Sequence, residues 1–112
     1  MLESTIEKHL VKRIEAIGGT AEKFTSPNRR SVPDRLVLLP EVRRRYRHHG
    51  PLGTTIHQEI QRPREAIFIE LKAPGKKPKP AQQRDHERRR EMGFRVEVLD
   101  SIEAVDEFVE GL

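Results

Sequence analysis

The chain contains no cysteine and no tryptophan, and none of its apolar runs approaches the length of a membrane-spanning helix. The absence of cysteine excludes disulfides, thiolate zinc sites and a cysteine nucleophile. A helix that crosses a bilayer needs about 20 consecutive apolar residues, and the N-terminus lacks the basic and then apolar pattern of a signal peptide. With 112 residues, of which 34% are hydrophobic, the chain has room for one domain with one modest core. We therefore expect a single domain over residues 1–112 that works in the cytoplasm and has no membrane partner.

Charge is abundant but unevenly distributed along the chain. Residues 1–95 carry all 22 Lys and Arg side chains and 12 acidic ones, whereas residues 96–112 carry six acidic side chains and no basic one. The net charge of +4 therefore combines a basic body of +10 with an acidic C-terminal segment of −6. A basic body of this kind favours polyanionic partners, above all nucleic acid, although a merely solvated surface has a similar composition.

The spacing of apolar residues predicts an α/β domain. Helices are indicated over residues 3–17, 81–92 and 102–110, the first and last by apolar residues at intervals of three and four. Short apolar or alternating runs predict strands over residues 20–25, 35–39, 66–72 and 94–99. Residues 41–65 show no sustained period and are interpreted as a hairpin arm or mobile insertion, with a short strand over 56–61. The predicted order is α-β-β-(arm)-β-α-β-α, with helices packed on a central sheet.

Residues at the two ends of the first helix suggest how it starts and stops. Ser4 is a candidate N-cap, and Glu7 three residues later would complete a capping box. Gly18-Gly19 follows the last apolar residue of the helix, where a residue in the left-handed region commonly ends a helix.

Acidic and basic residues interrupt two predicted strands. Asp34 stands at the start of one apolar strand, and Glu70 and Lys72 stand at the end of another. Buried alone, either carboxylate would be costly. On adjacent strands the two could converge, and their repulsion would be relieved by a divalent cation such as Mg²⁺ or Mn²⁺, which prefers oxygen ligands. Glu70 and Lys72 are two residues apart and share a strand face, whereas Leu71 would point into the core and offer its backbone carbonyl as a third ligand.

The pattern of Pro33-Asp34 followed by Glu70-x-Lys72 resembles the signature of the PD-(D/E)xK nuclease superfamily. Between about residues 3 and 108 the chain is similar to one branch of that superfamily, the VRR-NUC domain (virus-type replication-repair nuclease), in its stand-alone phage form. The segments that carry the similarity are residues 18–19, 23, 26–27, 32–36, 68–73, 79–82, 93–94 and 100–101. The resemblance implies a restriction-endonuclease-like core, in which a small mixed β-sheet is flanked by helices.

The resemblance also implies roles for individual residues. Asp34 and Glu70 would be metal ligands, Lys72 the catalytic lysine, and Gln82 the glutamine that closes the site from the following helix. A glutamate of the first helix also belongs to this set. It is Glu3 or Glu7, with spacing from the glycine pair slightly favouring Glu7.

Ten basic residues are candidates for DNA contacts, each with solvated surface charge as the alternative. They are Lys23, Arg29, Arg30, Arg35, Arg43, Arg44, Arg45, Lys76, Lys77 and Lys79. The family usually has a short hairpin where this chain has residues 41–65, so a DNA-gripping arm or a dimer contact is expected there. His48, His49 and His57 are expected to be solvated on that arm, and His86 to be exposed on its charged helix.

These features together predict a Mg²⁺- or Mn²⁺-dependent DNA endonuclease with no organic cofactor. The resemblance further suggests preference for branched DNA, similarity to Holliday-junction resolvases, a homodimer, and a role in phage DNA replication, recombination or repair in the host cytoplasm. The alternative is a non-catalytic basic module that positions DNA for a phage replication or packaging assembly.

Overall fold

A computed structural model describes all of residues 1–112 and confirms the predicted order of elements. The arm is itself a pair of strands. In chain order the elements are α1 (Glu3–Ala16), β1 (Thr20–Lys23), β2 (Arg35–Leu39), β3 (Val42–Gly50), β4 (Gly53–Arg62), β5 (Glu65–Leu71), α2 (Pro80–Glu91), β6 (Arg95–Leu99) and α3 (Ile102–Glu110). No helix is long and apolar enough to cross a membrane.

Four strands form the central sheet in the order β1-β2-β5-β6. The pairs β1–β2 and β2–β5 are antiparallel, and β5–β6 is parallel. A parallel neighbour requires a crossover connection, and α2 provides it. The predicted small mixed sheet is therefore confirmed.

The two faces of β5 meet different helices because successive side chains of a strand point to opposite sides. Ile67, Ile69 and Leu71 are buried in the apolar core together with residues of α1 and α3. That core includes Ile6, Leu10 and Ile14 of α1 and Val105, Phe108 and Val109 of α3. Burial of each such side chain contributes about 1.5–3 kcal/mol. The other face of β5 carries Phe68 and Glu70, and it is covered by α2.

The C-terminal end of α1 matches the prediction and its N-terminal end does not. Gly18 adopts a φ of +86°, which glycine accepts without strain. At Gly19 a Cβ atom would lie 2.7 Å from the carbonyl oxygen of Leu38, so only glycine allows the chain to pass this close to β2. The capping box of Ser4 and Glu7 is wrong, because the helix already begins at Glu3 and its N-cap is Leu2, which makes no side-chain cap.

The arm is an antiparallel hairpin, β3–β4, whose residues are almost all exposed. It leaves the sheet after the end of β2 and returns before the start of β5. Asp34 and Glu70 lie at the opposite ends of those two strands, about 17 Å away for a strand of five residues. The molecule is consequently elongated, with principal extents of 62, 31 and 21 Å.

Candidate active site

The antiparallel pairing of β2 with β5 brings Asp34 and Glu70 together, as the sequence predicts. Arg35 pairs with Ile69, so Asp34, the residue before β2, lies beside the C-terminal end of β5. The Asp34 amide donates to the carbonyl oxygen of Ile69 at 2.9 Å. The Leu71 amide donates to Oδ2 of Asp34 at 2.7 Å. These two hydrogen bonds, one through the backbone and one through the carboxylate, fix Asp34 at the end of β5.

The carboxyl group of Glu70 is buried, in surroundings that disfavour its ionised form. Its side chain is 2% exposed. Burial, followed by the hydrogen bond and negative charge of Asp34, raises the pKa of Glu70 from 4.5 to about 8. The charge of Lys72 only partly opposes this, and the charge of Glu3 adds to it. Two carboxyl groups that share a buried site show such an elevation, because burial and the neighbouring negative charge both disfavour ionisation.

Lys72 is held beside the carboxylates by Gln82. Its Nζ donates to Oε1 of Gln82 at 2.9 Å and lies 3.9 Å from Oε2 of Glu70. The same Gln82 oxygen accepts the Lys79 amide at 2.8 Å, which anchors the first turn of α2. Gln83 points elsewhere and donates to the Pro78 carbonyl at 3.0 Å. Gln82 therefore both caps α2 and orients the lysine.

His86 is buried, so the prediction that it is exposed is wrong. Its side chain is 2% exposed, and its Nε2 lies 3.3 Å from Oε1 of Glu70. Burial, then the charge of Arg90, lowers the pKa of His86, so the imidazole is neutral near pH 7 and can donate from Nε2. The signal for this contact was the spacing of four residues from Gln82, which puts both side chains on one face of α2.

The two candidate glutamates of α1 have different surroundings. Nε of Arg35 donates to Oε2 of Glu7 at 3.2 Å, and Nη1 of Arg35 donates to the Ala21 carbonyl at 2.9 Å. Glu7 and Arg35 thus form an ion pair beside the sheet. Glu3 is instead the α1 carboxylate whose charge acts on Glu70. This small charge effect, together with the engagement of Glu7 by Arg35, favours Glu3 as the helix-1 member of the site, the reverse of the slight preference from spacing.

The predicted DNA-contacting residues fall into two groups. Six of them are exposed on segments that adjoin the carboxylate end of the sheet, namely Lys23, Arg29, Arg30, Lys76, Lys77 and Lys79. Arg35 is largely buried in its ion pair with Glu7. Arg43, Arg44 and Arg45 lie on the hairpin at the opposite end of the sheet. The guanidinium of Arg44 lies over the ring of Tyr46, and that ring stacks on His57. His57 is exposed, as predicted.

The donor set at this end of the sheet fits a hard divalent cation. No group of three or more His, Asp or Glu side chains is arranged to enclose a metal. The carboxyl groups of Asp34 and Glu70 nevertheless converge, and the Lys72 ammonium 3.9 Å from Glu70 only partly offsets their repulsion. Mg²⁺ commonly binds through one or two carboxylates and keeps several waters. Asp34, Glu70 and the Leu71 carbonyl would suit such an ion, with water and a phosphate completing the shell.

Comparison with known proteins gives two extensive similarities, although no family model matches the chain. The chain is 46% identical over 99 residues to "Putative nuclease p44" of Acyrthosiphon pisum secondary endosymbiont phage 1, covering 88% of this chain and 83% of that protein. A solved structure described as "VRR_NUC domain" superposes with a TM-score of 0.71 at 32% identity, covering 96% of this chain and 94% of the other.

Proposed function

Because the chain belongs to the VRR-NUC family, we propose that it is a DNA endonuclease that hydrolyses phosphodiester bonds with bound Mg²⁺ or Mn²⁺. One observation carries the proposal: Asp34, Glu70 and Lys72 meet at one end of the sheet, with the buried Glu70 at a pKa of about 8. A purely structural ion pair would not place two carboxylates against each other. Perturbed groups in this arrangement are typical of functional sites.

Each residue of the cluster has a distinct role in the proposed reaction. Asp34 and Glu70, with the Leu71 carbonyl, would hold the cation. When bound there, it would supply positive charge that polarises the phosphodiester and lowers the pKa of the attacking water. Lys72, oriented by Gln82, orients that water and stabilises negative charge that develops on the phosphate. Glu3 of α1 contributes negative charge that acts on Glu70.

DNA is the proposed substrate because the site end of the sheet is basic. Lys23, Lys76, Lys77 and Lys79 are exposed on segments that border the carboxylates, where they can contact the backbone. We extend the proposal to branched DNA, in phage replication, recombination or repair in the host cytoplasm. The support for this extension is the small size of the core. One subunit has little surface with which to select a DNA structure, so a second subunit would contribute to that selection.

A homodimer forms part of this proposal, since a two-fold axis would set two active sites against two strands. The β3–β4 hairpin is the candidate for a subunit contact or for a distant contact to DNA. Its base lies about 17 Å from the carboxylates, so it does not reach the cleavage site of its own chain. Light scattering that finds only monomers, both with and without DNA, would refute the proposed dimer.

The experiment that tests the function is cleavage of labelled duplex, single-stranded, flap and four-way-junction DNA with Mg²⁺ or Mn²⁺. Wild-type protein is compared with Lys72→Ala and Asp34→Asn. We expect cleavage by the wild type and its loss in both variants, with the branched substrates cut fastest. Absence of cleavage by the wild type on every substrate would favour the non-catalytic DNA-binding module. Unchanged cleavage by both variants would refute the proposed site.

A further inference from the structure

A basic cleft lies between α2 and the turn that precedes β2. Its volume is about 370 Å³, and four arginines line it: Arg29 and Arg30 from the turn, and Arg84 and Arg88 from α2. We call these four residues with their cavity the arginine cleft. Arg84 and Arg88 were not among the residues predicted to contact DNA, since a charged helix is usually just solvated. The fold is what brings them to face Arg29 and Arg30.

The one acidic residue in the cleft, Asp85, does not cancel this charge. Asp85 accepts from Arg89 at 2.8 Å and from Arg88 at 3.1 Å. Burial disfavours its charged form, but the hydrogen bonds from Arg89 and Arg88 outweigh that effect and hold the pKa of Asp85 below its usual value. Arg89 itself lies over the rings of Phe24 and Phe68. Asp85 and Arg89 therefore form a pair without net charge at the cleft.

The remaining charges of the cleft are uncompensated. Arg29, Arg30 and Arg84 make no ion pair and no side-chain hydrogen bond, and all three are exposed. Concentrating like charges around one cavity raises the free energy of the protein unless an anion binds there. Arginine also suits phosphate in particular, because its planar guanidinium can donate two parallel hydrogen bonds.

Both walls of the cleft lead directly into the candidate active site. On one side Arg30 is followed by Ser31 and, three residues later, by Asp34. On the other side Ala81, which lines the cleft, is the neighbour of Gln82. Ser31 has a φ of +63°, in the left-handed region that side chains other than glycine seldom adopt. This conformation costs on the order of 1 kcal/mol, and strain of this kind clusters at functional sites.

We propose that the arginine cleft binds a backbone phosphate of the substrate strand adjacent to the scissile one. The inference rests on the proposed function, and it names the path that the cut strand takes: from the carboxylates across the first turns of α2. An anchored neighbouring phosphate would fix the strand relative to Lys72 before hydrolysis. Positioning of this kind is a large part of catalysis in phosphoryl transfer.

The test uses a double variant, Arg29→Gln/Arg84→Gln, in the full-length protein. Neither side chain has a partner in the protein, so the fold should be preserved, which circular dichroism would verify. The matched control is Lys8→Gln/Lys12→Gln, which removes the same charge from two exposed positions of α1. DNA binding is measured in EDTA, where the protein cannot cut, over a range of salt concentrations.

We expect the cleft variant to bind DNA about 10-fold more weakly and its salt dependence to decrease by about one phosphate contact. The control should change less than two-fold. Equal losses in both variants would show that only total charge matters, and no loss in the cleft variant would show that the cleft is unused. Either result overturns the proposal.

One further measurement separates this proposal from a site for free phosphate. If the cleft serves free phosphate rather than DNA, inorganic phosphate will stabilise the wild type but not the variant against heat while DNA affinity stays equal, which would also overturn it. Because binding is read without cleavage, the result is independent of whether the wild type cuts. The proposed function fails on the cleavage panel alone, and the cleft fails on affinity and salt dependence.

Discussion

Glu70 should make the metal-free protein less stable as the pH rises. Its folded-state pKa of about 8 lies above the ordinary value of 4.5, so between these values the folded state binds more protons than the unfolded state. Stability then falls with increasing pH through this range. In a window from pH 7 to pH 9, the folded state holds on average about half a proton more. At 1.36 kcal/mol per pH unit for a full proton, the loss is about 1.4 kcal/mol.

The assay is urea unfolding in EDTA at pH 7 and pH 9, for wild type and for Glu70→Gln. The window lies above the range in which His86 titrates, since the pKa of His86 is lowered from 6.5. We expect wild type to lose about 1.4 kcal/mol, equivalent to roughly 5 °C in Tm, whereas Glu70→Gln should change much less. Mg²⁺ at pH 9 should restore the wild type only. Equal losses in wild type and Glu70→Gln would refute the assigned protonation of Glu70.

Three further predictions concern the support of the site, the core and the arm. His86→Phe removes the hydrogen bond to Glu70. It should weaken Mn²⁺ binding about 10-fold by calorimetry and leave DNA affinity in EDTA unchanged, as is typical of residues that orient metal ligands. Unchanged Mn²⁺ affinity would show that His86 does not have this role. Gly19→Ala should lower the free energy of unfolding by about 1–3 kcal/mol, because its Cβ would meet the Leu38 carbonyl at 2.7 Å; a neutral effect in urea unfolding would show that the chain shifts at little cost. Replacing residues 43–61 with a two-residue turn keeps the hydrogen bond from Arg62 to the Ile17 carbonyl. It should leave the unfolding free energy within about 1 kcal/mol, since this exposed part of the arm adds nothing to the core. A dimer that becomes monomeric in light scattering would assign the arm to the interface, and a dimer that persists would exclude it.

The carboxylate end of the site was predictable because it depends on local rules. Strand alternation alone puts Glu70 and Lys72 on one face and Leu71 on the other. Antiparallel pairing of two short apolar runs then brings Asp34 to the same edge. These steps need no knowledge of how the helices pack.

The contribution of α2 to the site was not predictable in the same way. This helix has no apolar stripe, and it packs through Arg89 over two phenylalanine rings and through His86 on Glu70. Hydrophobic spacing cannot reveal burial that depends on polar contacts. Arg84 and Arg88 escape prediction for a different reason, because only the fold brings them to face Arg29 and Arg30.

The arm and the start of α1 were also difficult, for different reasons. Both strands of the hairpin are exposed on both faces, so they lack the alternation that identifies a half-buried strand. At the start of α1, Ser4 and Glu7 fit the capping-box pattern, but Arg35 engages Glu7 instead. Glu7 thus forms a tertiary ion pair and not the local hydrogen bond of a capping box, and the helix begins one residue before the expected cap.

The central claim is that Asp34 and Glu70 together form a divalent-metal site. Its most direct test is calorimetric titration of Mn²⁺ into the protein at pH 8, with a non-cleavable phosphorothioate duplex present to supply phosphate oxygens. We expect saturable binding by the wild type and loss of that binding in Asp34→Asn, with DNA affinity preserved. Wild-type protein that does not bind Mn²⁺ under these conditions, or Asp34→Asn that binds it equally well, would show that these carboxylates do not form a metal site.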